Sequence, residues 1–81
     1  MRIKKNIAVS DNGFIFNPST GDSYSINPIG MEIIRQLKET RPKEEIKHSI
    51  MNEYNCDEAT FEKDFYDFTM MLRNYKLLEH E

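Results

Sequence analysis

The chain has 81 residues, 38% hydrophobic and 31% charged, with a formal net charge of −3. That length leaves room for one domain, expected over 1–81 with residues 1–6 as a flexible N-terminus, and the balance of apolar and charged groups excludes a disordered tail. The negative charge disfavours nucleic acid as the main partner, no apolar run approaches the ~20 residues of a membrane span, and the N-terminus lacks the apolar stretch of a signal peptide. The single cysteine, Cys56, cannot form an internal disulfide, so a cytoplasmic setting is expected.

In chain order, Ile7 and Val9 alternate with Ala8 and Ser10, Asp11-Asn12-Gly13 supplies residues that tolerate positive φ, and Phe14-Ile15-Phe16 follows as a β-rich run. A second turn, Asn17-Pro18-Ser19-Thr20-Gly21, leads to Ser23-Tyr24-Ser25-Ile26, which alternates as a third strand. Near Asn27 the period changes from two to about 3.6. Asn27 can cap a helix and Pro28 suits its first position, while Ile29, Ile33, Ile34 and Leu37 form its apolar stripe through about Glu39.

Thr40-Arg41-Pro42 breaks that helix. Glu44 and Glu45 suit the start of a second one, where Ile46, Ile50 and Tyr54 share a face before Asn55. Asp57 caps the third and longest helix, in which Phe61, Phe65, Phe68, Leu72 and Tyr75 recur at three and four residues as the expected core stripe. Asn74 or Lys76 takes the helix-ending conformation, and Leu77-Leu78 folds back. The order is α+β: a three-stranded antiparallel sheet followed by three helices, winged-helix-like in outline.

Catalytic groups are sparse. Cys56 with His48 or His80 is the one conceivable nucleophile and base, but a surface His and a loop-packing Cys explain the same residues and no diagnostic spacing joins them. One Cys and two His without CxxC or HxxxH leave no metal motif, and Gly13, Gly21 and Gly30 are too scattered for a phosphate loop, so no cofactor is expected. Asp64 and Asp67 share a flank of the third helix, where a solvated face is the commoner role. A winged-helix DNA reader would present Asp57, Glu58, Glu62, Asp64 and Asp67 to phosphate against only Lys63 and Arg73, which is unfavourable. What remains is an interaction module built on an exposed strand edge, or a small structural subunit without a ligand.

The succession DNGFIFNPSTGDSYSINPIGMEII, then a short second helix ending EYNCD, then EKDFYDFTMMLRNYKLL, resembles the PqqD family, the peptide chaperones of pyrroloquinoline quinone biosynthesis, from about Ile7 to Leu78. Tyr24-Ser25-Ile26-Asn27 with Gly30 and Ile34 looks like the family's pattern at the sheet-to-helix junction, and Asp57, Asp64, Phe68 and Leu72 fall where its long helix carries a cap, an aspartate and an apolar stripe. Ile26 replaces the usual Leu, and Lys76 stands where Gly is common. The match is to the domain pattern shared with recognition domains of other peptide-modifying pathways.

The resemblance implies a non-catalytic domain that holds the leader segment of a ribosomally made precursor peptide and presents it to a modifying enzyme, often a radical SAM protein. A homo-oligomer is compatible with it. In that reading the peptide adds as a strand to the backbone edge of Asp22, Ser23, Tyr24, Ser25 and Ile26, next to a cleft between that strand and the third helix flanked by Asp64, Asp67 and Met71. Tyr24 and Ile26 share a face, with core packing as their alternative role. Asp64 and Asp67 would favour a leader carrying Lys or Arg. Tyr66 and Met70, opposite the stripe, are stray exposed residues or a contact for the enzyme or a second copy.

Overall fold

In a computed structural model that describes residues 1–79, the elements are β1 (Ala8–Val9), β2 (Phe14–Asn17), β3 (Asp22–Ser25), α1 (Pro28–Lys38), α2 (Lys43–Tyr54) and α3 (Glu58–Asn74). The sheet is antiparallel in the order β1-β2-β3, so β3 is an edge. The α+β order expected from periodicity is the observed one; His80 lies outside the described residues.

Turn chemistry sets the strand register. Gly13 (φ +89°) and Gly21 (φ +82°) occupy left-handed backbone that glycine adopts without strain, and the Asn17 side chain closes the second turn by accepting from the Ser19 amide. Ile15 pairs with Val9 on one side and Tyr24 on the other, which puts these three on the face that meets the helices. Their neighbours Phe14 and Phe16 fall on the opposite, uncovered face and remain 48% and 41% exposed.

Each helix starts and stops for a local reason. Asn27 Oδ1 accepts from the Gly30 amide at 2.7 Å, Asp57 Oδ1 from the Thr60 amide at 2.8 Å, and Asn55 ends α2 in a left-handed conformation. Of the two residues considered for the turn after α3, Lys76 takes it (φ 59°), and Leu77 and Leu78 return to the core. That core joins Ile15, Ile33, Ile34 and Leu37 to Ile46, Ile50, Phe61, Phe65 and Leu72. Lys47 bridges Glu58 and Glu62 across α2 and α3.

Two expectations change. Residues 1–6 are not a free tail: Ile3 is buried and bridges Leu78, the Lys4 amide donates to the Leu77 carbonyl, and the Glu79 amide donates to that of Arg2. The charges of Arg2, Lys4 and Lys5 mask one apolar residue whose partner lies at the far end of the chain. In α3 the stripe is Phe61, Phe65, Thr69 and Leu72; Phe68 is half-buried and Tyr75 is 46% exposed. Thr69, four residues after Phe65, lies on the core side, whereas Phe68 and Tyr75 turn toward the flank that carries Asp64 and Met71.

Candidate functional site

The amide pattern of β3 follows from one hydrogen bond. Ile26 donates to the Gly13 carbonyl at 2.8 Å, so by the alternation of an antiparallel ladder Tyr24 also faces β2, and the amides and carbonyls of Ser23 and Ser25 point out of the sheet. The Phe14 carbonyl, opposite Ser25, accepts from Ser10 on the β1 side, which agrees. Ser23 and Ser25 are exposed and no strand among the described residues pairs with this side of β3, so the strand presents an open backbone edge.

An open cleft of about 400 Å³ continues from the end of this strand. One wall is Asn27, Ile29, Gly30 and Ile33; the other is Asp64, Asp67, Phe68 and Met71. The walls therefore come from α1 and α3, and no residue of β3 lines it, unlike the strand-to-helix cleft expected from the sequence. Gly30 sets the closeness of approach: a Cβ there would lie 2.7 Å from Ile26 Cγ2 and 2.9 Å from Phe68 Cε1, inside van der Waals contact.

Midway along the edge the Tyr24 ring stacks on Tyr75 with centroids 4.4 Å apart. Burial, then the charge of Asp22 and the neighbouring Tyr75, pushes the Tyr24 hydroxyl above its ordinary pKa, and a hydrogen bond with Asp22 adds to this. Lys63 Nζ donates to Asp67 at 3.1 Å and is raised above its ordinary pKa mainly by that bond. Asp64 has no hydrogen bond or ion pair among the described residues.

Of the residues singled out from sequence, Asp64, Asp67 and Met71 thus share one wall, and Asp22 to Ile26 form the edge that leads to it. Asn27, Ile29, Gly30, Ile33 and Phe68 were missed as site residues. Their signal, apolar positions four apart at the start of α1 and one aromatic beside Asp67, is the same signal that marks core. Tyr66, at 63%, and Met70, at 36%, are exposed. Neither Cys56 nor His48 lines the cleft, and the described residues contain no group of three His, Cys, Asp or Glu that could hold a metal. No helix among them is long and apolar enough to cross a membrane.

Fold and cleft together define a class: a small α+β interaction domain with an open sheet edge beside an apolar, acid-rimmed groove. The chain belongs to the PqqD family, whose model, described as Coenzyme PQQ synthesis protein D (PqqD), matches residues 13–78. It is similar, at 32% sequence identity and a TM-score of 0.86, to a solved structure described as TbiB1 in complex with the TbiA(beta) leader peptide; the similarity covers 100% of this chain and 98% of that one. No curated protein matches the chain.

Proposed function

We propose that the chain is a peptide-binding chaperone that captures the leader of a ribosomally synthesised precursor peptide and presents it to a modifying enzyme. The leader adds as a strand to the outer edge of β3, with the backbone of Asp22 to Ile26 as its partner and the groove of Asp64, Asp67 and Met71 receiving side chains. Main-chain bonds then supply affinity that tolerates sequence, and the groove supplies selection. Catalysis belongs to the partner, for which a radical SAM enzyme is one class, and the cytoplasm is the setting.

One observation carries this reading: the outward backbone of Ser23 and Ser25 opens next to an apolar groove, in a chain 32% identical to a protein solved with a leader peptide bound. The test is an N-methyl scan of the cognate leader, read by fluorescence polarisation. Methylation at alternate positions of one short segment should each weaken binding on the order of tenfold or more, since each removes a strand donor and adds bulk at the seam. A leader that tolerates methylation at every position does not bind as a strand.

A further inference from the structure

The groove beside β3 has two chemically distinct parts. Its floor is apolar, made by Ile29, Ile33, Phe68 and Met71, and no basic side chain lines it. Its rim carries two carboxylates of unequal standing. Asp67 already accepts from Lys63, four residues earlier on the same helix, whereas Asp64 lines the wall with no hydrogen bond or ion pair among the described residues.

We infer that the groove selects a leader segment in which an aliphatic or aromatic residue is accompanied, within two positions, by Lys or Arg, with the apolar side chain on the floor and the cation at Asp64. This rests on β3 acting as the strand acceptor. An added strand directs every second side chain to the helix side at about 6.6–6.8 Å spacing, so an apolar residue and a cation two positions apart face the same side. A Lys or Arg stem can lie along the apolar floor while its head reaches the rim and stays in water. The first turn of α1 favours an anion, but its dipole is worth about half a charge and the Gly30 amide is already held by Asn27. Two full carboxylates, of which Lys63 hydrogen-bonds only Asp67 while its charge also acts on Asp64, outweigh it. Asp22, at the far end of the edge, adds charge of the same sign.

The test uses a phage-displayed library of random dodecapeptides selected on the immobilised full chain and, separately, on Asp64→Asn. Because a chain of net charge −3 attracts cations without specificity, dependence on Asp64 is the deciding readout. Sequences enriched on the wild-type chain should carry Lys or Arg within two positions of an apolar residue. A synthetic copy of one should lose about two- to fivefold in affinity when that cation becomes Gln, the range of a single exposed ion pair, and lose nothing further on Asp64→Asn. Enrichment without a cation, or a cation dependence that survives Asp64→Asn, overturns the inference; if those peptides still shift the Ser23 and Ser25 amides in NMR spectra, the edge reading stands. Failure to select any peptide, or selection of peptides that shift neither amide, overturns both.

Discussion

Gly30→Ala pits helix propensity against packing, and the two predict opposite signs. Gly30 lies within α1, where Ala in place of Gly is worth up to about 1 kcal/mol of stability. The added methyl, however, would sit 2.7 Å from Ile26 Cγ2, 2.9 Å from Phe68 Cε1 and 3.1 Å from Asn27 Oδ1. None of these is the loose end of a flexible chain. Ile26 is β-branched and stiff, the Phe68 ring moves only as a whole, and Asn27 must hold its place to cap the helix. Overpacking of this kind costs about 1–3 kcal/mol, so the net expectation is a loss of about 1–2 kcal/mol. For a domain of this size that lowers Tm by roughly 4–16 °C. Urea unfolding followed by circular dichroism at 222 nm measures it. In a Phe68→Leu background, which removes Cε1, the penalty should shrink by about 0.5 kcal/mol or more. If Gly30→Ala is as stable as wild type or more so, the close approach of α1 to α3 is wrong, and with it the shape of the groove.

Three further predictions concern the edge, the ends and the cap. Ser25→Pro removes an outward amide, so leader affinity should fall on the order of tenfold or more while the helical signal is retained, whereas Tyr24→Pro breaks the bond to β2 and should destabilise the fold more; equal effects would mean the ladder runs in the other phase. Ile3→Ala, at 4% exposure, should cost about 2–5 kcal/mol in urea unfolding, against within about 0.5 for a free tail. The amide of Thr60, then its side chain, holds the Asp57 carboxyl below its ordinary 3.8. The cap therefore contributes fully above that value and is lost as pH falls through the lower folded one, so Asp57→Ala should lower Tm at neutral pH by an amount that shrinks below pH 3.8, and a constant difference would refute it.

How much of this the sequence carried depends on how local each signal is. Asn27 before Pro28 and Asp57 before Glu58 mark boundaries through bonds made within three or four residues, Asn55 after Tyr54 marks one through its own left-handed backbone, and those boundaries are where the residues say. The period-two pattern likewise located β3 and identified which of its residues share a face. Phe68 and Thr69 mark the limit. Both fit a helical stripe, and aromatic character favours Phe68, yet tertiary packing buries Thr69 and leaves Phe68 on the groove. The same dependence on non-local packing hid Ile29, Ile33 and Gly30 as a wall, turned Phe14 and Phe16 outward, and joined Ile3 to Leu78 across the length of the chain.

The central claim is that a leader peptide completes the sheet at β3. Amide hydrogen exchange, read by NMR with and without the cognate leader, tests it residue by residue. The account predicts that Ser23 and Ser25, whose amides face out of the sheet, gain protection on binding, while Tyr24 and Ile26, already bonded toward β2, change little. Saturating leader that leaves Ser23 and Ser25 exchanging at their free rates would contradict it.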